Sequence, residues 1–160
     1  GNPNRLNEDK LMLGVSTSLN VESENESTND YRAGLEFAML KRKLYLGAEM
    51  YYMHVGFTKR QKIDQGYHYL GGYVQGGYFV TSRLQATARY DFFNRNGMDT
   101  NGFMNMPAVG VNYFFKGCNL KLQAMYQFVG RWGHDTQLDR DNDDLGIATH
   151  NATVMLQYTF

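Results

Sequence analysis

The sequence predicts an all-β fold, an antiparallel up-and-down barrel, and three observations lead to that prediction. The 160 residues include 12 Tyr, 10 Phe and 17 Gly but only 2 Pro, a composition that suits strands and bends better than helices. Eight stretches alternate apolar and polar side chains with a period of two residues. The segments that connect these stretches alternate between short and long along the whole chain.

The eight stretches are long for strands. Strands of soluble proteins mostly have about five or six residues, whereas a tilted strand that crosses a bilayer needs about 9 to 11. Each stretch here has about 10 to 15 residues, so the lengths favour strands that span a membrane. The stretches are residues 10–21, 31–40, 43–57, 67–80, 83–94, 106–115, 119–131 and 148–160.

The connections predict which ends of the strands lie together. Short connections at residues 41–43, 81–83 and 116–118 alternate with long ones at residues 22–30, 59–66, 94–102 and 132–146. Outer-membrane barrels show this order, with short periplasmic turns and longer external loops. Since the number of strands is even, both chain ends are predicted to be periplasmic.

Every stretch has one apolar and one polar face. In the fifth stretch, one side carries Leu84, Ala86, Ala88, Tyr90 and Phe92, and the other side carries Gln85, Thr87, Arg89, Asp91 and Phe93. A slip of one residue would move every charge to the opposite face, so the register of pairing is well specified.

The apolar face has two interpretations. It is the core of a soluble barrel such as a lipocalin, or it contacts lipid while the charged side chains line the interior. Small residues such as Ala86, Ala88 and Gly72 lie at mid-strand. Aromatic girdles at both interfaces are typical of membrane barrels, so we prefer the lipid-facing interpretation. The aromatics near strand ends on the apolar series are Tyr31, Phe92, Phe115, Phe128 and Phe160.

Charge, hydropathy and cysteine content exclude several classes of protein. The formal net charge is zero, so no general attraction to nucleic acid is predicted. No apolar run reaches 18 residues, which excludes a membrane-spanning helix. Cys118 is the single cysteine, so no disulfide forms within the chain.

Two features of the sequence resemble known outer-membrane proteins. The last strand, with Leu156, Tyr158 and the terminal Phe160, resembles the carboxy-terminal signal that the barrel-assembly machinery reads during membrane insertion. The segments "GGYVQGGYFVTSRLQATARYDFF" (71–93) and "PAVGVNYFFKGCNLKLQAMYQF" (107–128) resemble the carboxy-terminal part of the phosphate-selective porin O/P family. This resemblance implies barrels of about sixteen strands. The eight strands are therefore either a closed small barrel or the carboxy-terminal half of a larger porin.

Charged residues on the polar face are the candidate functional residues. In a wide barrel they would line a wet channel and bias which ions pass, whereas in an eight-stranded barrel they would form a buried ion-pair network. Their signs nearly balance, which argues against a strong anion filter. Arg32 with Glu36, and Arg89 with Asp91, are predicted as local ion pairs. The predicted lumen-lining residues are Arg32, Glu36, Glu49, Arg89, Asp91, Lys121 and Arg131.

Metal-binding and catalytic signals are weak. Asp139, Asp141 and Asp143 have the alternate spacing of an EF-hand loop, but Asp144 stands where glycine is needed and His150 where glutamate is needed. An EF-hand is therefore rejected, and only a looser calcium site remains as a weak candidate.

The four histidines lack zinc-ligand spacing and no serine is brought to them, so no catalytic residues are predicted. We do not expect the protein to be an enzyme or to need a cofactor. The histidines are His54, His68, His134 and His150.

Three functions remain open and are ranked in descending order of preference. The first is a porin for passive diffusion of small solutes, with anions such as phosphate as one candidate. The second is a non-conducting barrel that anchors partner proteins, and the third is an outer-membrane enzyme. The expected location is the bacterial outer membrane. The expected partners are the lipid bilayer, lipopolysaccharide, the barrel-assembly machinery and a homotrimer or larger complex, with no nucleic acid.

Overall fold

The structure, a computed structural model, describes residues 9–21, 29–55, 67–94, 103–116, 119–132 and 148–158. For Asn20, Val21, Asn29, Tyr67, Lys116, Arg131 and Trp132 it describes the backbone alone. The described residues form eight β-strands. They are β1 (Asp9–Val21), β2 (Asn29–Lys41), β3 (Leu44–Val55), β4 (Tyr67–Phe79), β5 (Leu84–Asn94), β6 (Phe103–Lys116), β7 (Leu120–Trp132) and β8 (Ala148–Tyr158).

All eight strands belong to one antiparallel sheet in which each strand pairs with its neighbours in the sequence, from β1 to β8. The predicted all-β, up-and-down architecture is therefore confirmed. Each strand end lies within three residues of its predicted position. Among the described residues no helix is long and apolar enough to cross a bilayer.

The sheet is open, because β1 and β8 stand at its two edges and do not pair with each other. The closed small barrel, one of the two predicted alternatives, is thus not the arrangement that the structure shows. Each edge strand presents a row of backbone N–H and C=O groups without a strand partner within the described residues.

Tight turns join the strands at one end of the sheet. In the turn between β4 and β5, the hydroxyl of Thr81 accepts hydrogen bonds from the backbone N–H groups of Arg83 and Leu84, at 3.2 and 3.0 Å. In the turn between β2 and β3, Arg42 takes a φ of 51°. Its N–H donates to the Asp9 carboxylate at 3.2 Å. Side chains thus satisfy backbone donors that such short turns leave unpaired.

The side chains on the two faces of the sheet differ in solvent exposure, and this difference shows which face is turned outward. On the apolar face, Val111, Leu122 and Leu156 are 46%, 36% and 65% exposed. On the polar face, Phe114 and Gln85 are only 3% and 1% exposed. The sheet is therefore concave on its polar side, and its apolar side is turned outward. A soluble barrel would have buried the apolar face, whereas a continuous exposed apolar face of this size fits contact with lipid.

Two glycines on the outward face of β4 give a matched test of close strand packing. A Cβ at Gly72 would overlap the backbone carbonyl oxygen of Glu49, whereas a Cβ at Gly76 would lie 3.4 Å from the flexible end of Leu46. Gly72→Ala is expected to lower the free energy of unfolding by about 1–3 kcal/mol, because the backbone of β3 must shift. Gly76→Ala should change it by less than about 1 kcal/mol.

Urea unfolding of the refolded protein in detergent micelles measures both variants. Equal losses for Gly72→Ala and Gly76→Ala would contradict the close approach of β3 and β4.

Candidate functional site

The predicted lumen-lining residues lie on one face of the sheet, here called the polar wall. The pairing register places Glu36 opposite Glu49, Arg89 opposite Gln75 and Lys121 opposite Gln157. The backbone of Arg131 pairs with Met104, which assigns position 131 to the same face by register. The side chain of Arg131 lies outside the described part. The role of these residues as channel lining stays a prediction.

Arg89 and Asp91 form the ion pair at the centre of the polar wall. Nε of Arg89 donates to both carboxylate oxygens of Asp91, at 2.9 and 2.8 Å, and Nη2 donates to Oδ1 at 2.6 Å. The Tyr73 ring stacks under the guanidinium, with Cζ 3.9 Å from the ring centroid. These contacts fix the guanidinium plane and neutralise most of its charge locally. The distances between these atoms support the predicted pairing of Arg89 with Asp91.

The predicted pairing of Arg32 with Glu36 is wrong, because no ion pair joins these two described residues. The physical reason is strand geometry. Residues four apart on a strand are separated by about 13 Å, whereas residues two apart are separated by about 7 Å and within reach of an arginine. A spacing of four brings side chains together on a helix and not on a strand.

A ladder of three amides crosses β5, β6 and β7 on the polar wall. Nε2 of Gln123 donates to Oδ1 of Asn112 at 2.9 Å, and Nδ2 of Asn112 donates to Oε1 of Gln85 at 3.0 Å. The three residues are direct cross-strand partners. Nε2 of Gln85 ends the ladder as a buried donor without a hydrogen-bond partner among the described residues. A buried unpaired N–H group is costly unless a water or a solute oxygen accepts from it.

The amide ladder and Arg89 line a cavity of about 390 Å³ on the concave side of the sheet. Nη1 of Arg89 donates to Gln75 at 3.2 Å, and Gln75 donates to the hydroxyl of Tyr45 at 3.1 Å. Lys121 brings a second cation, whose Nζ lies 6.0 Å from the centroid of the Phe114 ring. The cavity therefore combines two cationic side chains with an unsatisfied N–H donor, a set that suits an oxygen-bearing solute or anion.

Acidic residues occupy a separate part of the polar wall. Glu36 on β2 stands directly opposite Glu49 on β3, an arrangement in which like charges repel. Asp91 follows on β5, already paired with Arg89. The wall thus carries two glutamates together with Arg32 on β2 and β3, and Lys121 on β7.

Sequence reasoning missed the amide ladder. Gln85, Asn112 and Gln123 are uncharged and far apart in the sequence, and each alone is an ordinary polar residue of an alternating strand. Part of the signal was present in the short turn between β6 and β7, since fixing the register of that hairpin would have aligned Asn112 with Gln123. Gln85 joins them through the pairing of β5 with β6, whose long connection does not fix the register from the sequence.

The remaining predicted site residues are placed only in part. Leu156 and Tyr158 lie on the outward face of β8, 65% and 63% exposed, and Phe160 lies outside the described residues. The weak calcium candidates, Asp139, Asp141 and Asp143, lie outside them as well. Within the described part of the chain no three metal-ligating side chains come together.

Three of the four histidines lie on the outward face, in register with the apolar residues of their strands. His54 stands opposite His68, and His150 lies between Ala148 and Ala152 in the outward series of β8. The fourth, His134, lies outside the described residues. The described histidines are thus separated by the sheet from the polar wall, and they do not contribute to the cavity.

An antiparallel up-and-down sheet with an exposed apolar face and a polar opposite face is the architecture of part of an outer-membrane β-barrel. The model of one family, phosphate-selective porin O and P, matches residues 1–160, and the chain belongs to that family. It is accordingly a bacterial outer-membrane porin, which confirms the resemblance in residues 71–93 and 107–128. Neither the curated proteins nor the solved structures give a significant match.

The amide ladder predicts an unequal response of two glutamines on the polar wall. Gln85→Ala leaves the Nδ2 donor of Asn112 without its acceptor, and we expect the free energy of unfolding to fall by about 1–3 kcal/mol. Gln127→Ala removes an amide from the same face outside the ladder, so it should cost less than about 1 kcal/mol.

Urea unfolding in detergent micelles compares the two variants. A loss for Gln127→Ala as large as that for Gln85→Ala would show that the ladder contributes nothing specific.

Proposed function

We propose that the sheet forms one wall of a water-filled channel through which small solutes diffuse passively across the outer membrane, anions such as phosphate among them. The observation that carries this proposal is the cavity on the polar wall. Arg89, Lys121 and the Gln85 donor, which has no partner among the described residues, line it on the side of the sheet opposite the exposed apolar face.

The channel must be wider than eight strands would make it. In an eight-stranded barrel the side chains fill the interior, whereas larger barrels leave an aqueous passage. The open edges of β1 and β8 fit a larger barrel, since backbone groups that enter hydrocarbon must be paired. Further strands that pair with both edges would complete the wall and satisfy these groups.

The charges of the polar wall support a modest preference for anions at one part of the channel. The negative charge of Asp91 offsets most of the positive charge of Arg89. On β2 and β3, Glu36 and Glu49 form a site that attracts cations. Among the described residues that line the cavity, Lys121 is then the main cation without an ion-pair partner. The side chains therefore favour a weakly selective passage over a strong filter.

The orientation in the membrane follows from the connections. We infer that the tight turns lie on the periplasmic side, that the long connections lie outside, and that both chain ends are periplasmic. The outward positions of Leu156 and Tyr158 support their proposed role, with Phe160, as the signal that the barrel-assembly machinery reads. The bilayer, lipopolysaccharide and a homotrimer or larger complex remain the proposed partners.

Single-channel recording in planar bilayers tests the proposal directly. Stable current steps are expected from the full-length protein, and a folded protein that gives no steps would instead favour the anchoring function.

Charge variants of the polar wall give a signed prediction for ion selectivity. Lys121→Gln should lower the anion-to-cation permeability ratio by about twofold and Glu49→Gln should raise it by about the same factor. A unit charge about 10 Å from a permeating ion in water contributes about 0.4 kcal/mol. Reversal potentials in a potassium chloride gradient measure the ratio.

Lys41→Gln provides the control, because Lys41 lies at the turn end of β2 and in register with the outward series. Its reversal potential should equal that of the unmodified protein. Unchanged reversal potentials for both Lys121→Gln and Glu49→Gln would contradict the placement of the polar wall in the ion path.

A further inference from the structure

Two tyrosine–histidine pairs with the same cross-strand geometry lie on the outward face, in the half of the sheet towards the long connections. In the β3–β4 hairpin, the hydroxyl of Tyr52 lies 2.5 Å from Nδ1 of His68. In the β7–β8 hairpin, the hydroxyl of Tyr126 lies 2.5 Å from Nδ1 of His150. Each histidine is two residues nearer the long connection than the residue opposite its tyrosine. The same diagonal contact in two hairpins indicates a shared role.

The height of the pairs on the sheet places them at the membrane interface. In β3, His54 is level with His68 and stands ten residues from Leu44, which begins the strand at the tight turn. That separation is about 34 Å along the strand, or about 24 to 28 Å of height at the usual tilt. Because the apolar band of a membrane barrel is about 25 Å tall, His54 and His68 lie at the edge of the hydrocarbon. Phe128, which pairs with His150, stands eight residues from Leu120 at the tight-turn end of β7, or about 19 to 22 Å of height, so His150 lies just inside that edge.

The contact at Nδ1 determines what the imidazole offers to a ligand. In the tautomer in which the tyrosine hydroxyl donates to Nδ1, the neutral ring carries its proton on Nε2. In the imidazolium, Nδ1 instead donates to the tyrosine oxygen, and Nε2 again carries a proton. Within the described part of the chain, Nε2 of neither His68 nor His150 has a hydrogen-bond partner. Each pair therefore presents an oriented N–H donor at the edge of the apolar face.

Aromatic rings hold these imidazoles in place. The ring of His54 lies 4.6 Å from that of His68 and stacks on Tyr31 with centroids 4.7 Å apart. The ring of Phe128 lies 5.2 Å from that of His150. A donor fixed directly above a flat apolar surface matches a lipid whose acyl chains cover the surface and whose phosphate accepts the hydrogen bond.

We propose that the Tyr52–His68 and Tyr126–His150 pairs bind the phosphate groups of a phosphorylated glycolipid of the outer leaflet, namely the lipid A part of lipopolysaccharide. This inference rests on the proposed orientation, in which the long connections are external. Each histidine contacts the phosphate, and each tyrosine is a positioning residue that fixes the imidazole ring.

Native mass spectrometry of the full chain in dodecyl maltoside micelles tests the proposal. The micelles contain either diphosphorylated lipid A or the same lipid with both phosphates removed. The unmodified protein should retain the phosphorylated lipid about tenfold better than the dephosphorylated lipid. His68→Phe and His150→Phe should each reduce that retention about tenfold at their own site, since each loses a hydrogen bond to a charged group.

Tyrosine variants separate positioning from simple loss of an aromatic ring. Tyr52→Phe and Tyr126→Phe keep the ring but remove the hydroxyl, and each should weaken retention about threefold. Tyr113→Phe is the matched control, because Tyr113 lies on the same face at the tight-turn end. It should leave retention unchanged.

Three outcomes would overturn the inference. They are equal retention of the two lipids, unchanged retention in the His68→Phe, His150→Phe double variant, and binding of inorganic phosphate to these histidines without retention of lipid A. Conductance separates this inference from the proposed function. A silent protein that retains lipid A contradicts the channel alone, and a conducting protein that does not distinguish the lipids contradicts the lipid site alone.

Discussion

Pairing of backbone groups is the constraint on which the rest of this structure depends. In hydrocarbon every N–H and C=O must find a partner within the protein, and strands meet this requirement only through their neighbours. The eight strands pair in an unbroken order from β1 to β8, and the register fixes the facing of every side chain. Since facing alternates with a period of two, one register produces both an apolar face for lipid and a polar wall for water.

Cross-strand register also explains why the functional groups are neighbours. Gln85, Asn112 and Gln123 come from three strands and meet only because consecutive hairpins align them in one row. Two glutamates face each other for the same reason. The Arg89–Asp91 ion pair lies within β5, but the amide ladder is understood from pairs of neighbouring strands, because its hydrogen bonds connect residues of different strands.

The sequence predicts the architecture well because strand period, strand length and turn length are local properties. The ion pair of Arg89 with Asp91 was also predictable, since two residues along a strand is within reach of an arginine. Arg32 and Glu36 were wrongly paired by a spacing that suits a helix. The amide ladder and the tyrosine–histidine pairs depend on register between strands, which single-strand patterns do not contain, and so they became visible only in the structure.

The direction of the two faces is the central claim, and site-directed spin labelling of β7 tests it most directly. Cysteines are placed singly from residue 122 to residue 126 in a Cys118→Ser background, and the labelled protein is reconstituted in a lipid bilayer. Labels at 122, 124 and 126 should collide with oxygen dissolved in the hydrocarbon, and labels at 123 and 125 with a water-soluble nickel complex. The opposite alternation, or none at all, would contradict a sheet that turns its apolar face to lipid.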